Sequence, residues 1–113
     1  MPLYVYQTFE IKQEKFKEAV ENLQELKKYR NENYHHIVDI LLPIVGEDYT
    51  YALLATYDGL AEMELQNKKM YDDDKYLELV GSFFLENVVQ GSMKTMVYRS
   101  MNDNKEQQGK KEE

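Results

Sequence analysis

His35 and His36 are the only histidines, and with no cysteine in the chain they are the side chains whose ordinary titration falls nearest neutral pH. Neighbours on a strand point to opposite faces, so one of the two at most enters any given cavity, and a regular strand cannot bring both to one metal. A metal site would need carboxylates from elsewhere, and no ligand spacing supplies them; no metal is expected. The run Asp72-Asp73-Asp74 lacks the spacing and terminal Glu of a calcium loop, and reads instead as helix-capping acid. Asp39 is the least comfortable acid because it interrupts the apolar run 37–42. If buried, it needs hydrogen bonds or a raised pKa. Along one strand it lies about 13 Å from His35, too far for a dyad. A cross-strand partner is within reach. If the Gly46-Glu47-Asp48 connection sets Val45 opposite Tyr49, Asp39 sits opposite Ala55 and diagonal to Tyr57. His36, Asp39 and Tyr57 are therefore the candidate catalytic groups.

Ten tyrosines against four phenylalanines and no tryptophan are the clearest bias in composition. Tyrosine combines apolar area with a hydroxyl that needs a partner, which suits core and interface packing and equally a cleft for a flat aromatic molecule. Tyr6, Tyr51 and Tyr98 from strand-like stretches, with Phe83 and Phe84 from a helical one, are the expected ligand-lining residues. Neither a Gly-rich phosphate loop nor a G-x-S-x-G nucleophile turn occurs.

The elements that must carry these residues can be read from periodicity. Residues 3–11 are aromatic and β-branched, a strand. Phe16, Ala19, Val20, Leu23 and Leu26 then recur at three- and four-residue steps, predicting a helix over about 12–31, with Lys27, Lys28 and Arg30 suiting its negative end. Residues 35–45 and 49–57 read as a hairpin around Gly46, with Pro43 at a strand end, bulge or edge because it lacks a ladder donor. Asp58 is placed to cap a helix over 60–70, and a second helical segment runs from the acidic run through Val88. Residues 93–101 close as a strand. The predicted architecture is α+β: a ferredoxin-like βαββαβ subunit, one domain over 1–101, with both helical segments on one face of a four-stranded antiparallel sheet. Residues 102–113 hold no large apolar side chain and are expected to be a disordered charged tail.

The 113 residues and net charge of −7 argue against a nucleic-acid partner, and no apolar run is long enough for a membrane span. With no signal-peptide pattern at Met1-Pro2-Leu3, a cytoplasmic protein is expected. A sheet covered on one side should alternate apolar and polar residues, yet 36–45 is apolar at both parities: Val38, Ile40, Leu42 and Ile44 against Ile37, Leu41 and Val45. Both faces therefore need cover, and a second copy is the economical partner for the uncovered one. A homodimer is predicted.

The element order over about 3–101 resembles the dimeric α+β barrel superfamily, which includes NIPSNAP-like and antibiotic-biosynthesis-monooxygenase-like proteins. The most specific stretches are 74–80 (Asp-Lys-Tyr-Leu-Glu-Leu-Val), 88–92 (Val-Val-Gln-Gly-Ser) and the closing Tyr98-Arg99-Ser100-Met101. These are structural positions, not a catalytic signature. The resemblance implies two sheets closing into a barrel across a dimer, with a small apolar or aromatic molecule in each sheet–helix cleft. Its enzymatic version is cofactor-free monooxygenase-like or isomerase-like chemistry, the former with His36, Asp39 or a tyrosine deprotonating or orienting a phenolic substrate. Haem degradation in this superfamily relies on a tryptophan that this chain lacks, and neither flavin nor haem is expected. The alternative is a non-catalytic oligomerisation or sensor module.

Overall fold

A computed structural model describes residues 1–101; the predicted tail at 102–113 lies outside the described residues. The strands are β1 (Leu3–Glu10), β2 (Ile37–Leu41), β3 (Thr50–Tyr57) and β4 (Lys94–Arg99). The helices are α1 (Phe16–Asn33), preceded by a 3-10 turn, α2 (Leu60–Tyr71) and α3 (Asp74–Asn87). All strand pairs are antiparallel, in the order β2-β3-β1-β4, so the α+β ferredoxin-like arrangement read from the sequence is the observed one.

The helices bury one face of the sheet. Phe9 and Ile11, both fully buried, meet Phe83 and Val88 from α3 and its exit, with the Phe9 ring edge-on to Phe83 and Phe84 at 5.6 and 5.8 Å. Ala19, Leu23 and Leu26 of α1 close the core over Val38, Leu53 and Ala55. The opposite sheet face carries rows of paired residues: Tyr98, Tyr4, Thr56 and Ile37, then Met96, Tyr6, Leu54 and Asp39. Ile37, Met96 and Tyr98 are exposed there.

Several expectations need correction. The strand expected over 35–45 holds only at Ile37–Leu41, and 42–49 is an irregular connection. Pro43 has no N–H to extend the ladder. Gly46 stands at φ +123°, a left-handed geometry that side chains rarely adopt. This longer connection shifts the hairpin register by one residue: Asp39 faces Leu54, and Val38 takes the place opposite Ala55. A one-residue slip exchanges the two faces, so Asp39 and Tyr57 lie on opposite sides of the sheet and the expected contact is lost. Asp58 does not cap α2; Gly59 occupies the cap position without a side-chain bond. Asp73, from the acidic run, does cap α3, accepting from the Tyr76 N–H.

Candidate functional site

The last turn of α1, the residue before β2 and the end of β3 meet beneath the helices, bringing together Arg30, His36 and Tyr57, all buried. Arg30 lies four residues after Leu26 and seven after Leu23, so the helical period that buries those leucines buries the guanidinium too. Arg30 Nε donates to His36 Nε2 at 3.1 Å, and Nη2 donates to the Tyr57 hydroxyl at 3.0 Å. Its guanidinium carbon stands 6.0 Å from the Tyr76 ring centroid. Among the described residues no carboxylate pairs with Arg30.

His36 is sandwiched between Tyr57 (ring centroids 4.7 Å apart) and Tyr34 (6.0 Å). Burial, reinforced by the neighbouring Arg30 charge, pushes its pKa down to about 4, so the ring is neutral near pH 7. Because Nε2 accepts from Arg30, the ring proton belongs on Nδ1, which is buried without a partner among the described residues. Burial raises the Tyr57 pKa, and Arg30 opposes that rise without cancelling it, so Tyr57 is a phenol and not a phenolate. With its oxygen accepting from Arg30, the Tyr57 O–H is free to donate.

Beside this cluster Asp73 Oδ2 accepts from the hydroxyls of Tyr29 (2.8 Å) and Tyr34, joining the α3 cap to both ends of an aromatic group completed by Tyr76. These bonds hold the Asp73 carboxyl below its ordinary pKa. They also raise Tyr29, whereas Tyr34 is raised chiefly by burial with Asp73 adding to it.

A cleft of about 400 Å³ opens between the sheet and the helices. Val5, Leu53 and Val97 form its sheet side, Met63, Met70, Leu77, Val80 and Phe84 its helix side, and its polar lining includes the buried Arg30, Tyr57 and Tyr76 with the more exposed Lys27. A larger hollow, about 670 Å³, lies on the opposite sheet face under the 42–47 segment, lined by Tyr6, Thr8, Leu41 and Ala52. None of His36, Asp39 or Tyr57 reaches that hollow, and it lies on the face that the helices leave bare.

The residues singled out from the sequence thus separate. His36 and Tyr57 come together, but only Tyr57 lines the cleft. Asp39 is solvent-exposed, 3.5 Å from Lys27 Nζ and accepting from its neighbour's N–H. Of the expected ligand-lining residues Phe84 lines the cleft, and Phe83 is core behind it. Tyr51 is buried farther along the sheet against Phe16. Tyr6 and Tyr98 stand on the other face. His35 is exposed, hydrogen-bonded to Glu62 at 2.8 Å, a contact that holds the Glu62 carboxyl below its ordinary pKa. Arg30 escaped sequence reasoning, although a cation on the apolar stripe of α1 is the signal that marks it. Among the described residues no group of three or more His, Asp or Glu side chains converges as a metal site.

The chain has a ferredoxin-like α+β fold with a cleft between its sheet and its helices. No family model matches the chain, and no curated protein matches it. Solved structures do. A NIPSNAP domain protein from Burkholderia xenovorans is similar over 87% of this chain and 93% of its own, with a TM-score of 0.73 and 12% identity. An antibiotic biosynthesis monooxygenase-like protein from Nitrosomonas europaea aligns over 88% and 90%, with a TM-score of 0.70 and 12% identity. A dimeric protein of ferredoxin-like fold and unknown function from Bacteroides fragilis aligns over 88% and 96%, with a TM-score of 0.66 and 13% identity. The chain has the subunit fold that NIPSNAP and monooxygenase-like proteins share, the fold implied by the stretches at 74–80 and 88–101. No helix among the described residues is long and apolar enough to cross a membrane.

Proposed function

We propose that this protein is a homodimer whose subunits each bind a small apolar or aromatic molecule in the sheet–helix cleft. The observation carrying this reading is the cleft itself: about 400 Å³ of mainly apolar lining with Arg30 and Tyr57 as polar groups in its wall. That is the size and composition of a small-molecule site. The dimer rests on the bare sheet face with its exposed Ile37, Met96 and Tyr98, and on the dimeric neighbour of the same fold. A cytoplasmic setting goes with this reading as part of the proposal.

Cofactor-independent monooxygenase-like chemistry is the enzymatic form of the proposal, supported by likeness to a monooxygenase-like fold. The site favours binding over that chemistry. Abstracting a phenolic proton needs a base facing the ligand. His36 is neutral but does not line the cleft, Asp39 lies on the other side of the sheet, and Tyr57 holds its proton. This arrangement favours a non-catalytic sensor or assembly role as the second reading. Native mass spectrometry of protein purified without added ligand tests the site. A dimer releasing a small molecule on denaturation is the expected result, and its mass identifies the ligand. If His36→Ala and Tyr57→Phe then leave both affinity and oxygen uptake with that ligand unchanged, the catalytic form is wrong.

A further inference from the structure

Arg30 is a buried cation whose hydrogen-bond acceptors are both neutral. Desolvating a guanidinium is expensive, and neutral acceptors with an aromatic face offset that cost without balancing the charge. Helix α1 ends at Asn33, so its negative end supplies only partial compensation. Three described carboxylates are engaged elsewhere: Asp73 with tyrosine hydroxyls, Glu62 with His35 and Gln66, Asp39 with Lys27. Three of the five guanidinium N–H groups have no partner among the described residues, and Arg30 lines the cleft. Tyr57, in the same wall, has a hydroxyl proton to give.

Resting on the cleft reading above, we infer that Arg30 and Tyr57 form a carboxylate anchor, so that the cleft takes an apolar molecule ending in a carboxylate. The planar guanidinium fork matches a carboxylate, and a charge-assisted bond to a guanidinium as buried as Arg30 is stronger than the same bond at the surface. His36 is a positioning residue here: it accepts from Nε at 3.1 Å and so helps to fix the plane of the fork. The chain's net charge of −7 opposes anions at long range, so the attraction is local to the cleft, where Arg30 is the buried cation and Lys27 is paired with Asp39.

The test compares 2-naphthoate with its neutral analogue 2-naphthamide. Calorimetry gives affinity, and methyl NMR of Leu53 and Val80 in the cleft, against Leu41 and Leu54 on the bare face, gives location. Naphthoate should bind the wild type at least about tenfold more tightly than the amide, with shifts at the cleft methyls. Arg30→Met should remove that preference while retaining the amide, and Tyr57→Phe should reduce it. Should Arg30→Met not fold, the wild-type pair and Tyr57→Phe decide. Equal affinities at the cleft overturn the anchor and leave the cleft reading standing. Shifts confined to the bare face, or binding of neither probe, overturn both.

Discussion

His36 shows how burial converts an ordinary side chain into a marker of pH. Its folded pKa near 4 lies below the ordinary value of 6.5, so the unfolded chain takes up this proton first. Stability associated with neutral His36 is therefore complete above about pH 6.5 and lost progressively as pH falls toward 4. Denaturant unfolding of wild type and His36→Gln at about pH 7 and about pH 4 should show the wild type losing about 2 kcal/mol more across that interval. Equal losses would mean that His36 is solvated or paired in solution. The sequence marked His36 and Tyr57 as residues able to do chemistry, and the structure brings them into contact. It placed Arg30 rightly in the last turn of α1 but left its neighbours unread, because a position on an apolar stripe says that a residue is buried but not what it meets there. Asn87, four residues after Phe83, carries the same signal: it is fully buried and satisfied by Asn22 and Glu18 of α1, each at 2.8 Å.

β2 is an edge strand of only five residues, and its exposed backbone groups invite pairing with another chain. Asn31 of α1 answers this locally. Its amide donates to the Val38 carbonyl at 3.0 Å and accepts from the Val38 N–H at 2.8 Å, standing where a fifth strand would pair. Asn31→Leu leaves both groups unsatisfied beside a buried Val38, so a loss of about 2 kcal/mol is expected, with faster amide exchange at Val38 than at Leu53. Unchanged protection at Val38 would show that water serves as well as Asn31. The helices and three of the four strands were legible from periodicity to within a few residues, since their apolar spacing is set by local geometry. The extent of β2 was not. Residues 42–45 are as apolar as a strand, and only the absent ladder donor at Pro43 and the turn at Gly46 end it.

At the scale of the whole molecule, the bare sheet face predicts assembly. Ile37 and Tyr98 occupy one row of that face and are exposed, so Ile37→Glu with Tyr98→Glu should leave the subunit folded and abolish the dimer. Sedimentation should give a dimer for the wild type and a monomer of unchanged circular dichroism for the variant. A monomeric wild type would contradict the two-faced sheet. This expectation was legible in the sequence, where residues 36–45 are apolar at both parities, although only Ile37–Leu41 form the strand and Ile37 and Leu41 are the apolar side chains it gives the bare face. The order of elements, the helix stripes and the apolar character of both sheet faces are local properties, fixed by the spacing of side chains along one segment. Register is different in kind. Whether Asp39 or Val38 stands opposite Ala55 depends on the length and shape of a connection, and one residue of slip carries a side chain from the core to solvent. That is why tertiary structure alone separated Asp39 from Tyr57, and why it alone set His36 behind Arg30 and Tyr57 in the wall of the cleft.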